Sequence, residues 1–292
     1  MPPRILRIHA RLAFCFVLAS ASLLVPALTR AQDNASAPYG ERQSPVNILS
    51  RDVLPDKNPL AFSGLDALKD PLILTVKNTA WGAWCPTCGG SVDQRWGSLK
   101  AYPEKGTAPR IRYGSDTYTL QEFHFHAPAE HLIDGQLAEM EVHFVFKKDG
   151  SVGCSPNTIL VIGSRIVKGG WNRELARIFN GPKLPTNASA PYATVSDFVI
   201  ANVIGSLDNT YRYSGSLTAP SDFSACGNPP GNPNDQLASG YLPEIVSWVL
   251  LRDPIEMSAE QIAVFEKLFP DGDARGPQAI KQRHVTSVFK TN

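Results

Sequence analysis

From about residue 71 to the C-terminus, apolar positions fall mostly at every second residue, the period of a strand with one buried face. Residues 71–78, PLILTVKN, predict a strand. Residues 110–126, RIRYGSDTYTLQEFHFH, predict a hairpin turned at Gly114-Ser115-Asp116. Residues 140–146, MEVHFVF, predict a further strand. Residues 157–166, NTILVIGSRI, predict a buried one, and 244–255, EIVSWVLLRDPI, another. Helical spacing is rarer. Trp171, Leu175 and Ile178 predict a helix over 171–179 with Trp171 in the core. SAEQIAVFEKLF, 258–269, predicts a second helix, with Ser258 and Gln261 as a capping box and Pro270 past its end. Two stretches rich in Gly and Pro, 81–110 and 219–243, read as long loops. Strands outnumber helices and are joined mostly by loops. The pattern therefore predicts a mainly β protein, with one mostly antiparallel sheet and peripheral helices.

The N-terminal residues break this pattern. Arg4, Arg7 and Arg11 precede an apolar run over 12–28, and small residues follow to Ala31. This layout predicts a secretory signal over 1–31 and a folded region over 32–292. Pro26 and the shortness of the run argue against a retained membrane anchor. The expected product is an exported protein, periplasmic or extracellular, with no membrane span. Cys85, Cys88, Cys154 and Cys226 then remain, an even number that predicts disulfides without fixing their pairing. The Cys85-Pro-Thr-Cys88 spacing matches a thioredoxin motif but lacks the surrounding βαβ pattern, so it reads as structural. Asn34 and Asn187 open Asn-Ala-Ser acceptors, usable only in a host that glycosylates. The 292 residues carry a net charge of +1, with no basic stripe, so nucleic acid is not an expected partner.

The candidate chemistry lies in histidine. Of the chain's 6 histidines, His124, His126, His131 and His143 fall in one short stretch. In a strand, Glu122, His124 and His126 share one face while Phe123 and Phe125 take the other. Glu141, His143 and Val145 likewise oppose Val142, Phe144 and Phe146. If the two strands pair around the Asp134-Gly135 turn, three imidazoles converge. Three neutral imidazoles with one open position are the donor set of a catalytic zinc site. Glu122 and Glu141, each two residues before a ligand histidine, can accept the second ring N–H.

These residues resemble the alpha-class carbonic anhydrases over most of the chain, from Gly40 to about residue 290. GERQSPVNI at 40–48, FHFHAPAEH with MEVHFV, GSLTAP at 215–220, VSWVLLRDPIEMSAEQ and RHVTSVFK occur in the family's order. The resemblance implies a single domain built on a central twisted sheet. It implies reversible hydration of carbon dioxide to bicarbonate and a proton by hydroxide on zinc. His124, His126 and His143 would hold Zn2+. Thr218 would orient the hydroxide and pass its own proton to Glu130. Glu122 and Glu141 would support the ligands. Val145, Val161, Leu217 and Trp248 would form the apolar wall for carbon dioxide. Apart from the resemblance, His131 reads as a structural residue hydrogen-bonded near the loop and His284 as a surface or strand residue far from the cleft. The alternative is a related non-catalytic binding or adhesion module, a class that typically loses a zinc histidine, whereas this chain keeps all three.

The chain also departs from that family. Ala80, with Trp81 beside it, stands where a proton-shuttle histidine is usual, so slow proton release without buffer is expected. Glu122 replaces the usual glutamine, and its charge is expected to raise the pKa of zinc-held water. Between Ala31 and Gly40, Tyr39 is the one aromatic left of a segment that usually helps to close the cleft, and Ala219 replaces a second threonine. The stretches 81–110 and 219–243 look like insertions. Exported relatives join an N-terminal cysteine to one in the substrate loop, but Pro38 or Tyr39 stands at that place. A bridge between the two loops and a Cys85–Cys88 bridge both remain open.

Overall fold

In the computed structural model, alternation is visible directly in burial. Residues 40–79, 97–151, 155–181, 184–187, 190–220 and 241–289 are described. The expectations for the leader, Asn34, Ala80, Trp81 and the four remaining cysteines lie outside the described residues. The chain divides into Met1–Gln32 and Asp33–Asn292, and the fold below belongs to the second unit.

The strands, in chain order, begin with the short β1 (Asn47–Ile48), β2 (Leu54–Pro55) and β3 (Phe62–Ser63). β4 (Leu72–Asn78), β5 (Leu99–Pro103), β6 (Arg110–Tyr113) and β7 (Asp116–His126) follow. Then come β8 (Leu132–Ile133), β9 (Met140–Lys148), β10 (Ile159–Lys168) and β11 (Ala193–Phe198). The last are β12 (Thr210–Gly215), β13 (Val246–Leu251), β14 (Ile255–Met257) and β15 (Thr286–Val288). In β4, Leu72, Leu74 and Val76 are buried while Ile73 is 45% exposed, the signature of a one-faced strand. Among the described residues one 13-stranded sheet runs β11-β4-β5-β7-β9-β10-β13-β12-β15-β2, with β14 joined to β10, β6 to β7 and β3 to β6 off that path. Its pairings are mostly antiparallel, with parallel contacts of β10 to β13 and β14 and of β15 to β2.

The larger core packs one face of this sheet. Phe123, Phe125, Phe144, Phe146 and Phe198 meet Leu175, Ile178 and Phe179 and the helix residues Ile262 and Phe265. Phe123 lies 5.0 Å from Phe144 and 5.2 Å from Phe198 between ring centroids. Buried rings at these separations stabilise beyond their area alone, by about 0.5–1.5 kcal/mol per pair. The second core, with Val161, Tyr213, Val246 and Trp248, packs separately from it.

Helix α2 (Ala259–Leu268) forms as its cap predicts: the Gln261 N–H donates to Ser258 Oγ and the Ser258 N–H to Gln261 Oε1. Helix α1 (Ala176–Phe179) is a correction. The expected helix over 171–179 is shorter, because residues 173–175 form a turn before it, with Asn172 Oδ1 accepting from the Leu175 N–H at 3.0 Å. Trp171 precedes that turn and is 55% exposed, not core. The stretch 81–110 is corrected in part too. Leu99 and Ala101 bury one side of β5, which hydrogen-bonds both β4 and β7. Dense Gly and Pro just upstream hide that alternation in the sequence. The second long loop, 219–243, falls largely outside the described residues.

Candidate metal centre

β7 and β9 pair antiparallel with His124 directly opposite His143 and His126 opposite Glu141. The tight Asp134-Gly135 turn of the connecting segment has φ of 50° and 76° at its two central residues, and the backbone bonds of Ile133 and Gln136 close it. Left-handed backbone at both positions suits Asp-Gly. Strand β7 is not regular, however. Leu120 pairs with Phe146 but Glu122 pairs with Val145, leaving Gln121 as an extra residue. This bulge reverses the alternation. Tyr118 and Leu120 before it, and Phe123 and Phe125 after it, all enter the same aromatic core. Glu122, His124 and His126 are thereby turned to the opposite face. The sequence carries no clear sign of the bulge.

The three imidazoles converge. Ring centroids are 4.9 Å apart for His124 and His126, 5.2 Å for His124 and His143, and 4.9 Å for His126 and His143. One ring nitrogen from each lies within 4.8 Å of the others. The second nitrogen of each is held. His124 Nδ1 donates to Glu122, 2.8 Å from Oε2. His143 Nε2 donates to Glu141 Oε1 at 2.8 Å. His126 Nδ1 donates to the Asp273 carbonyl at 3.3 Å. These partners leave His124 Nε2, His126 Nε2 and His143 Nδ1 to face one another. His126 Nε2 is buried without a hydrogen-bond partner. A buried ring nitrogen with no hydrogen-bond partner among the described residues, facing two other imidazole nitrogens, fits a zinc ion.

The charges agree with that fit. Burial pushes His124 and His143 down to about 4, so both are neutral donors at pH 7. Burial acts the same way on His126, but the nearby charges of Glu130 and Asp273 outweigh it and raise this imidazole to about 9. The pocket thus favours a positive charge at its centre, as a divalent ion supplies. Burial works to raise Glu122 as well, yet His124 and Lys100 together hold it down to about 2. Glu141 is held well below the carboxylate range, against its burial, by His131 and His143.

Glu141 is the best-satisfied carboxylate of the group. Its Oε1 accepts from His143 Nε2 and, at 2.6 Å, from His131 Nδ1. Its Oε2 accepts the N–H groups of Glu130 and His131. His131 is fully buried, and the Tyr213 hydroxyl donates to its Nε2 at 2.6 Å. Gly163 lies opposite His143, where an added Cβ would stand 3.0 Å from Leu250 Cδ1 and 3.5 Å from Glu141 Oε1.

The remaining residues named from the sequence surround the same centre. Glu130 is 1% exposed, and its Oε1 accepts from the Arg275 N–H at 2.8 Å. Its Oε2 lies 3.7 Å from His126 Nε2 and 3.9 Å from His143 Nδ1, and accepts no hydrogen bond, Thr218's included. Thr218 is buried at 6% exposure in the loop after β12. Val145, Val161 and Trp248 lie at one level across β9, β10 and β13, Val161 facing both others in register. All three belong with Leu217 to the second apolar cluster, Val145 and Leu217 being only partly buried. The loop is pressed close. A Cβ at Gly215 would fall 2.1 Å from Ser44 Oγ and 2.9 Å from Trp248 Cδ1, and Trp248 Nε1 donates to the Ser216 carbonyl. His284 is exposed.

Sequence reasoning misses Asp273, Arg275 and Lys100. Asp273 and Arg275 reach the centre from far along the chain, through backbone groups that no side-chain motif reveals. Lys100 sits in a stretch that reads as loop, and its Nζ lies 3.4 Å from Glu122 Oε1.

The family model described as eukaryotic-type carbonic anhydrase matches residues 30–224. The chain is 31% identical over 172 residues to a carbonic anhydrase of Pectobacterium carotovorum. That match spans 59% of this chain and 59% of the relative's length. It is 24% identical over 275 residues to carbonic anhydrase 7 of Homo sapiens, spanning 86% of this chain and 90% of that one. The fold is similar to a solved alpha-carbonic anhydrase of Thermovibrio ammonificans in complex with the inhibitor sulfanilamide. The TM-score is 0.61 at 24% identity, over 85% of this chain and 87% of that chain. At that identity the likeness speaks for the fold.

Proposed function

The chain belongs to the eukaryotic-type carbonic anhydrase family, and on that basis we propose that it hydrates carbon dioxide reversibly to bicarbonate and a proton at a zinc centre. The observation that carries this reading is the convergence of three buried ring nitrogens within 4.8 Å. His124 and His126 would bind through Nε2 and His143 through Nδ1, because their other nitrogens are engaged. Zinc, when bound there, lowers the pKa of water in its open position and so supplies a nucleophile at neutral pH.

The chain's own residues do the rest. Glu122, Glu141 and the Asp273 carbonyl fix the tautomer and tilt of each imidazole. Glu130 is anchored through Oε1 by the Arg275 N–H, which leaves Oε2 as its open acceptor. Thr218 donates its hydroxyl proton to that oxygen and is then left to accept, which orients the attacking oxygen's hydrogen away from the substrate carbon. That bond is not formed in this structure. Val145, Val161, Leu217 and Trp248 offer a small uncharged molecule a dry surface beside the nucleophile and keep bulk water off it. The proton must then leave the site. Ala80 and Trp81 cannot relay it, so soluble buffer carries it. Export to a periplasmic or extracellular space completes the reading, on the charge and hydropathy of residues 1–31.

The test is metal content together with carbon dioxide hydration across a buffer series. About one zinc per chain, with turnover that climbs as buffer concentration rises, is expected. Absence of both zinc and activity would favour the non-catalytic alternative. Fast turnover that ignores buffer would disprove the missing relay.

A further inference from the structure

We propose that Lys100 is the counter-charge of Glu122, so that the two act behind His124 as a neutral unit and set the zinc affinity lower than a lone carboxylate would. The inference rests on the zinc reading above and deepens it. Lys100 is the direct cross-strand partner of His124, on the β5 strand that sequence patterning hides. Its Nζ lies 3.4 Å from Glu122 Oε1, with the two side chains only 25% and 12% exposed. Solvent therefore screens the pair less than it would at the surface.

The geometry separates a charge role from an aiming role. Glu122 already directs both oxygens at His124 Nδ1, at 2.8 and 3.0 Å, from two residues away on the same strand. Lys100 adds one longer contact to one of those oxygens and is not needed to hold the carboxylate in place. The carboxylate behind His143 is treated differently. Glu141 accepts four N–H groups; Arg165, its cross-strand partner, acts on it electrostatically, but no lysine or arginine among the described residues makes an ion-pair contact with it. Its charge is spread over hydrogen bonds and is offset without an ion-pair contact, whereas Glu122 is directly paired with a cation. Of the two carboxylates that carry the outer N–H groups of the ligand histidines, only Glu122 is in ion-pair contact with a lysine or arginine among the described residues.

The test is the zinc dissociation constant of the full chain, measured by competition with a chromophoric chelator at fixed pH and salt. Lys100→Met keeps the apolar stem and removes the charge. It is expected to tighten zinc binding about 3- to 10-fold, as for a partly screened charge removed a few ångströms beyond the ligand shell. Glu122→Gln is expected to weaken binding about 10-fold. The double variant should return close to wild type, since it removes a neutral pair. Lys100→Arg, which keeps the charge, should leave affinity unchanged and guards against a folding artefact. Weaker or unchanged binding in Lys100→Met, with zinc bound normally by wild type, overturns the inference while leaving the zinc reading intact. Failure of wild type itself to bind zinc overturns both.

Discussion

Phe123 and His124 are neighbours in one strand, and Phe144 and His143 are neighbours in the next, yet the two faces of this strand pair do different work. On one face Phe123 packs against Phe144 and stacks with Phe198 in the larger core. On the other, His124 and His143 turn ring nitrogens toward His126 and are held by carboxylates. Both faces are buried to 9% exposure or less, so burial alone does not distinguish them. The difference lies in what the buried groups still require. The aromatic face is complete once it is packed. The histidine face leaves His126 Nε2 and Glu130 Oε2 without a hydrogen bond among the described residues. Buried polar atoms left open in this way are costly unless something binds them.

Substitutions on the two faces should therefore separate into distinct readouts. The largest effect is expected from His143→Ala, which removes one of three metal donors and uncouples Glu141 from the centre. Carbon dioxide hydration should fall to background, and zinc measured after dialysis should drop well below one per chain. Retention of both would break the assignment of chemistry to that face. Phe123→Ala, one residue from a ligand, should do the reverse. A buried Phe→Ala change costs about 3–5 kcal/mol, read as a lower midpoint in chemical denaturation. The protein that remains folded should still bind one zinc. If zinc affinity fell as far as in His143→Ala, the faces would not be independent. A smaller and more selective effect is expected at Gly215. Gly215→Ala puts a methyl against Ser44 Oγ and Trp248, which displaces the loop carrying Thr218. Activity should drop while zinc content stays at one per chain; equal loss of both would mean that the loop supports the metal rather than the substrate.

Much of this contrast is legible in the order of the amino acids. The alternation in LQEFHFH and MEVHFVF assigns each histidine to a face, and the Asp134-Gly135 pair marks the tight turn between the strands. The Ser258 and Gln261 capping box is equally plain. What stays hidden depends on register or on distance along the chain. The bulge at Gln121 decides that Leu120 and His124 lie on opposite faces, although simple alternation would put them together. Asp273 supports His126 through its backbone carbonyl and its charge, from 147 positions away, where no local motif points to it. Lys100 is concealed because Gly, Pro and Trp upstream of β5 read as loop. Trp171 is misplaced by its spacing because hydrophobic periodicity does not reveal the turn that Asn172 closes before the helix begins at Ala176.

The proposed chemistry stands or falls on three imidazoles sharing one zinc ion and leaving a position open. X-ray absorption at the zinc edge of the purified, zinc-loaded chain addresses that coordination itself. A four-coordinate site is expected, with three imidazole nitrogens and one solvent oxygen at about 2.0–2.1 Å. A sulfur shell near about 2.3 Å, or fewer than three imidazoles around the metal, would contradict it.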